Sequence, residues 1–237
     1  MQKYQNIVIL TGAGISAESG LATFRSSNGL WNNHPVEDVA TVEAFRRNPA
    51  YVHDFYNELK PEILKATPNP AHMALARLQK EYPGNVSIVT QNVDTLHEKA
   101  GSNTVYHIHG QINQAVCLNC GHILESWGDV DTETVCPQCR VSGMMKPNIV
   151  FFGEELLYMD KVEELLRHCD LFLSVGTSGV VYPAAGFVQT AKYAGAETYE
   201  FNLESTSNNF FFDRHIMGKA GDTLPAFVDN LLKTREN

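Results

Sequence analysis

Asn6–Arg25 reads NIVILTGAGISAESGLATFR. Ile7, Val8, Ile9 and Leu10 stand in a row, without the alternation of a half-exposed strand. Such a run predicts a strand buried on both faces, as in a parallel sheet. A glycine turn, Gly12–Ala13–Gly14, follows at once. Gly12 allows a tight turn, and Gly14 lets backbone come close to a ligand. With Ala17 the spacing is G-x-G-x-x-A, one form of the dinucleotide fingerprint. Ser16, Ala17 and Glu18 are expected to open a helix whose free N–H groups and dipole face a pyrophosphate. The competing reading is a plain strand-to-helix turn. An ordinary dehydrogenase would continue with a second strand and an acidic residue about 20 positions on. Arg25–Pro35 are instead polar and turn-rich, so the ribose partner must come from elsewhere in the chain.

The 237 residues suffice for one large domain, or one domain with a small module. A hydrophobic content of 43% is that of a globule with a real core. No run approaches the roughly 20 apolar residues of a membrane span, and the five residues before the first strand leave no room for a signal peptide. The formal net charge of −9 argues against a nucleic-acid binder, whose footprint is usually basic. Four of the five cysteines form two Cys-x-x-Cys pairs, for which metal ligation is favoured over disulfides.

Residues 36–82 read as helical, with Tyr51, Val52, Phe55, Tyr56, Leu59, Ile63 and Leu64 at helix spacing. Pro61 should kink or interrupt this helix, and Pro70 suits the first position of another over Ala71–Tyr82. Trp31 is a packing anchor or a ligand wall; Tyr56 is core or a ligand contact. Val86–Thr90 is a second buried strand, ending in Gln91–Asn92–Val93–Asp94 before a helix closed by Gly101. Ligands of open parallel sheets sit at strand carboxyl ends, so Gln91, Asn92 and Asp94 either meet the ligand of the glycine turn or cap a helix. Val105–His109 predicts a short strand with His107 and His109 on one face. This His-x-His is a metal pair, one structural and one catalytic histidine, or two core histidines.

Cys117-x-x-Cys120 and Cys136-x-x-Cys139 have zinc-ribbon spacing. Four thiolates leave no open position, so a zinc ion there would be structural and would supply the module's folding energy. The competing reading is redox. Cys169 is expected as a buried thiol. Lys146–Glu154 is extended, Leu156–His168 helical, and Leu171–Val175 a third buried strand ending in Gly176–Thr177–Ser178–Gly179. Small and hydroxyl residues there suit a phosphate or ribose. Pro183–Ala194 is helical, and Glu197–Asn202 is a strand whose end, Asn202–Leu203–Glu204, is a candidate ribose contact. A turn over Gly218–Asp222 and a helix over Thr223–Lys233, with Thr223 as N-cap, complete the pattern.

In this order, Gly12–Ser16 with Ser19–Gly20 and Phe24–Arg25, Thr90–Asp94, His109–Gly110, the four cysteines, Phe151–Glu154, Gly176–Ser178 and Asn202 resemble the sirtuins, NAD-dependent protein lysine deacylases. The resemblance covers nearly the whole chain. It implies an α/β fold: a Rossmann-like parallel sheet with helices on both faces, over residues 1–35, 83–112 and 145–237. A small domain is implied from a helical insertion, 36–82, and a four-cysteine zinc ribbon, 113–144. NAD would lie between them as co-substrate, with one structural zinc ion. The acyl oxygen would attack the nicotinamide ribose, nicotinamide would leave, and His109 would activate a ribose hydroxyl as general base. The products would be free lysine, nicotinamide and O-acyl-ADP-ribose.

By the same resemblance, Asp94 would bind the carboxamide, and Gln91 and Asn92 would surround the ribose, with Asn92 also catalytic. Gly12, Ala13, Gly14, Ser16, Ala17, Val93, Gly176, Thr177 and Ser178 would line the cofactor, with Phe24, Arg25 and Trp31. Asn202, Leu203, Glu204 and Ala220 would hold the adenosine end. An acylated lysine in a peptide would be clamped as an extra strand between Val150–Phe151–Phe152–Gly153–Glu154 and Gly179–Val180–Val181. No nucleic-acid or membrane partner is expected, and the oligomeric state is open, a monomer being compatible. The lack of extensions resembles a minimal microbial, cytoplasmic enzyme.

The class with this wording often carries Tyr-x-x-Arg, which binds succinyl or malonyl carboxylates. Here Tyr56 matches, but Leu59 replaces the Arg and cannot make forked bonds to a carboxylate. Acetyl or longer apolar groups are therefore expected over succinyl, unless Lys60 substitutes from a shifted helix. The other readings are protein ADP-ribosyl transfer, a Rossmann dehydrogenase, and a zinc-ribbon binding module for nucleic acid. Residues 117–139 hold no Lys or Arg, which disfavours the last.

Overall fold

The computed structural model describes residues 3–23 and 30–233. In chain order, β1 (Asn6–Thr11) leads into a short α1 (Ala13–Ser16), and two-residue strands β2 (Leu30–Trp31) and β3 (His34–Pro35) form a small ribbon. Four helices follow, α2 (Val36–Val39), α3 (Val42–Arg47), α4 (Pro49–Lys65) and α5 (Pro70–Glu81). Then come β4 (Asn85–Thr90), α6 (Leu96–Lys99), β5 (Val105–His107), β6 (Gly110–Cys117), β7 (Ile123–Glu125) and β8 (Met145–Ile149). The chain closes with α7 (Met159–Arg167), β9 (Leu171–Val175), α8 (Phe187–Tyr193), β10 (Glu197–Asn202), β11 (Arg214–Met217) and α9 (Ala220–Lys233).

Six strands form one parallel sheet in the order β11-β10-β9-β1-β4-β5. The apolar run of β1 serves both faces, as its pattern predicts. Ile7 and Ile9 pack with Leu75 and Leu78 of α5 and Leu224 and Val228 of α9. Val8 and Leu10 pack with Val162 and Leu166 of α7 and Phe187 and Val188 of α8. β1 lies between β9 and β4, so its carboxyl end is flanked by two others, the geometry that opens a crevice in such sheets.

Outside this sheet, β7, β6 and β8 form an antiparallel sheet that carries the cysteine knuckles. Of the 146–154 stretch expected to be extended, the part up to Ile149 belongs to β8 and pairs with β6 there. The helical insertion packs on the other end of β6 and β8, with Val52, Phe55, Tyr56, Leu59 and Ile63 against Ile112, Ile149 and Phe151.

Several local expectations are corrected. α4 runs continuously through Pro61; the apolar face on both sides of it is buried in this cluster, and that packing overrides the proline's propensity. Val105–His109 is a strand only to His107, and the 156–168 helix begins at Met159. The helix closed by Gly101 ends at Lys99 with Ala100 as C-cap; Gly101, at φ +100°, is the following left-handed residue. α9 starts at Ala220, and Thr223 does not cap it: its hydroxyl donates to the Lys219 carbonyl. The first turn is met instead by Glu18, which accepts from Gly221 N–H at 2.8 Å. Ser16, Ala17 and Glu18 do not open a helix either, because α1 begins at Ala13 and gives way to a single 3₁₀ turn.

Candidate active site

The carboxyl ends of β1, β4, β9 and β10 open into one cavity of about 1260 Å³ that continues to α4 and the 150–154 segment. Two glycine turns form its floor. Gly12 N–H donates to Val175 O at 3.0 Å and Gly14 N–H to Gly176 O at 2.9 Å. A Cβ on Gly14 would stand 2.7 Å from Gly176 Cα, and Gly176 itself has φ +62°. What Gly14 admits so closely is therefore the second turn, and the joined pair presents its outer surface to the cavity.

From β4, the Gln91–Asp94 segment crosses this floor. The Asn92 amide donates to Gly12 O and Ser16 Oγ, each at 3.1 Å, and its backbone N–H donates to Thr90 Oγ1 at 3.0 Å. Asp94 accepts from Leu96 N–H at 3.0 Å and from Ser16 Oγ at 2.8 Å, so it both supports the first turn of α6 and lines the cavity. Burial raises the Asp94 carboxyl above its usual range, against these hydrogen bonds and the nearby His107, which lower it.

The His-x-His pair divides its roles, and the two rings belong to no metal-ligating group among the described residues. His107 is buried, with Nδ1 3.1 Å from Asn92 O and Nε2 2.8 Å from Glu98 Oε1. His109 lines the cavity, with Nδ1 2.9 Å from Gln91 O. A carbonyl only accepts, so Nδ1 carries the proton of the neutral ring and Nε2 keeps its lone pair. Burial lowers the His109 pKa from its ordinary value, opposed by the Gln91 carbonyl. A neutral imidazole with a free Nε2 is the form a general base requires.

At the far end, Tyr56, Leu59, Glu62 and Ile63 of α4 line the cavity with Trp31, Val93 and Phe151. Trp31 is both anchor and wall, packing edge-on against Phe55 and Tyr56 at centroid distances of 5.4 and 5.7 Å. The Tyr56 hydroxyl is buried without a hydrogen-bond partner among the described residues. Lys60 does not substitute at this wall: its Nζ donates to Gly128 O at 2.6 Å, toward the cysteine module. The 150–154 segment is fixed from within, since Glu154 Oε2 accepts from Phe151 N–H and from the buried Lys146 at 2.8 and 2.9 Å. On one side it is already paired, Phe152 N–H to Ala40 O and Val42 N–H to Phe152 O.

Of the predicted site residues, Gly12, Ala13, Gly14, Ser16, Ala17, Trp31, Tyr56, Gln91, Asn92, Val93, Asp94 and His109 all line this one cavity. So do Val150 through Glu154, Gly176, Thr177, Ser178, Val180, Asn202, Leu203, Glu204 and Ala220. Gly179 does not; at φ +69° it packs against Thr206 and Asn208 instead. Phe24 and Arg25 lie outside the described residues. Glu62, Lys219 and the Ser205–Ser207 stretch also line the cavity; the first is one helical turn beyond Leu59, a spacing that could have found it.

The four cysteine Sγ atoms lie within 4.8 Å of one another, with Cys117–Cys139 at 3.7 Å and Cys120–Cys136 at 3.8 Å. None is in a disulfide. A tetrahedron with metal–sulfur bonds of about 2.3 Å has sulfur–sulfur edges of roughly 3.8 Å, so the donor set fits zinc. Cys169 lies apart from this group, and burial pushes its thiol up to about 12. Among the described residues, no helix is long and apolar enough to cross a membrane.

Residues 12–183 match the model of the Sir2 family. An NAD-dependent protein deacylase of Leishmania major is 52% identical, with 98% of each chain covered. A solved Sir2 homologue in complex with NAD superposes with a TM-score of 0.89 at 34% identity, covering 98% of this chain and 91% of the other. A Sir2 protein bound to a myristoylated histone peptide superposes at 0.76 with 37% identity, covering 98% and 93%. A family model that spans most of the chain and a relative of such identity over nearly its full length place this chain in the Sir2 family.

Proposed function

We propose that this chain removes acyl groups from lysine side chains of proteins in a reaction that consumes NAD. The observation that carries the reading is the continuity of the cavity. Nucleotide-binding strand ends, a neutral imidazole and an apolar pocket share one space, so an acyl-lysine can meet a dinucleotide beside a base. The relative from Leishmania major, named an NAD-dependent protein deacylase, supports it.

The residue roles in this reading are those that the resemblance implies. The twin glycine turns, Thr177 and Ser178 hold the phosphates, and Asn202, Leu203, Glu204 and Ala220 face the adenosine end. Asn92 and Gln91 orient the nicotinamide ribose, and Asp94 takes the carboxamide. Departure of nicotinamide leaves positive charge on the ribose, which a fixed, water-poor site of buried Asn92 and Asp94 serves by orientation. His109 Nε2 takes a proton from a ribose hydroxyl while its Nδ1–H stays on Gln91 O. The acyl-lysine passes Val93 and Phe151 toward Tyr56 and Leu59, and the peptide backbone adds as a strand between 150–154 and 179–181. Zinc on the four thiolates supplies structure. In this reading the NAD domain comprises 1–35, 83–112 and 145–237, with 36–82 and 113–144 as insertions. Acetyl and apolar acyl groups are preferred over succinyl.

The test is NAD turnover with and without an acetylated peptide, with mass detection of O-acetyl-ADP-ribose. Turnover that requires the acyl group supports the proposal. ADP-ribose transferred to protein without acyl dependence points to protein ADP-ribosyl transfer and sinks it.

A further inference from the structure

We propose that His107 is a positioning residue of the NAD site, an imidazolium whose two N–H groups tie the Asn92 carbonyl to the Glu98 carboxylate. The inference rests on the assignment of Asn92 and Asp94 to NAD. Its ground is the count of donors. His107 is 5% exposed, and its two ring nitrogens stand 3.1 Å from Asn92 O and 2.8 Å from Glu98 Oε1. A carbonyl and a carboxylate are both acceptors, whereas a neutral imidazole has one N–H. A neutral ring would therefore set a lone pair against one of them, either the buried Asn92 carbonyl or the more exposed Glu98 carboxylate. Only the doubly protonated ring satisfies both contacts, and the Glu98 carboxylate offsets its charge.

The consequence falls on one short segment. Asn92 is held by Thr90 through its N–H and by Gly12 and Ser16 through its side chain. Of these restraints, His107 at the Asn92 carbonyl is the one that depends on a proton. The titratable groups facing His107 are Glu98 and His97 from α6 and Asp94 from the segment itself. Burial lowers the His97 pKa well below its ordinary value and raises that of Asp94. Two positions on, His109 has the same Nδ1-to-carbonyl contact, but among the described residues no carboxylate is bonded to its Nε2. One His-x-His thus holds a charged ring that positions and a neutral ring that reacts.

The experiment combines a spectrum with a kinetic split on the full-length protein. In the wild type, ¹⁵N-histidine NMR at neutral pH is expected to show both His107 nitrogens protonated and His109 protonated at Nδ1 alone. His107→Ala should raise KM for NAD by about tenfold or more, the scale of an orphaned buried carbonyl, with peptide KM little changed. Glu98→Gln allows a neutral ring to keep Nδ1–H on Asn92 while Nε2 accepts from the new amide. Its KM for NAD should stay within about twofold of wild type. A singly protonated His107 in the wild type, or a His107→Ala KM for NAD within about twofold of wild type, would overturn the proposal. Should His107→Ala fail to fold, the wild-type spectrum and Glu98→Gln decide it. The spectrum does not depend on activity, so its failure is separable from failure of the deacylase reading, which wild-type turnover tests.

Discussion

Replacing Leu59 by Arg should convert this protein toward removal of succinyl groups. Tyr56 and Leu59 lie one turn apart on α4 and both line the acyl end of the cavity; Tyr56 is fully buried and Leu59 is 5% exposed. A succinyl carboxylate entering there meets one phenol hydroxyl, the Leu59 side chain and a wall that includes Glu62. Lys60, the nearest cation along the helix, is committed to Gly128 O. Burying a carboxylate without a charged partner costs on the order of 3 kcal/mol even with partial compensation. A guanidinium at position 59 would return about 1.5–3 kcal/mol through charge-assisted bonds, with Tyr56 as a second donor. That corresponds to roughly a 10- to 100-fold rise in kcat/KM for a succinyl peptide. The assay uses one peptide carrying acetyl, butyryl or succinyl lysine, with NAD and mass detection of product, on wild type and Leu59→Arg. The reasoning is refuted if wild type turns over succinyl and acetyl peptides with comparable kcat/KM. It is equally refuted if Leu59→Arg leaves the ratio between them unchanged.

Gly176→Ala should lower thermal stability by more than about 2 kcal/mol and weaken NAD binding, because its Cβ would lie 2.4 Å from Ile15 N in a left-handed conformation; calorimetry and NAD titration check it. Acid should destabilise the fold from below pH 6.5, since burial lowers His72 from 6.5 to about 4 and lowers His97 further. These rings fold neutral and the unfolded chain binds the extra protons, so stability is full above 6.5 and falls as pH drops; His72 alone accounts for roughly 3 kcal/mol by pH 4. His72→Gln should reduce that slope in denaturant titrations, and an unchanged slope would contradict the assignment. Metal analysis should find one zinc per chain, and a strong chelator should open residues 117–144 to protease. Because Asn57 on α4 bonds both the N–H and the carbonyl of Val130, chelation should also raise KM for the acyl peptide more than for NAD.

What the sequence disclosed, and what it hid, follows the range of the interactions. β1, β4 and β9 are largely apolar runs whose burial on both faces is local information, and they appear within a residue of where the pattern puts them. The cysteine knuckles are equally local in their spacing. The start of α9 is not, because the group that meets its first turn is Glu18, 203 residues away. Nor is the continuity of α4 through Pro61, which depends on packing against Ile112 and Phe151 from other parts of the chain. The demand for glycine at Gly14 comes from Gly176, so the fingerprint reads correctly as a site while its local explanation, close approach of a ligand, is not the main one. At His107 and His109 the residue types alone leave three readings, and only their separate carbonyl partners distinguish them.

The central claim is that His109 serves as base toward a dinucleotide to which an acyl group has been passed. Its most direct measurement is mass detection of O-acyl-ADP-ribose from NAD and an acetylated peptide, comparing wild type with His109→Ala. The account predicts acyl-dependent product from the wild type and none from His109→Ala, with fold and zinc content intact. Product formed at an undiminished rate by a folded His109→Ala protein would contradict it.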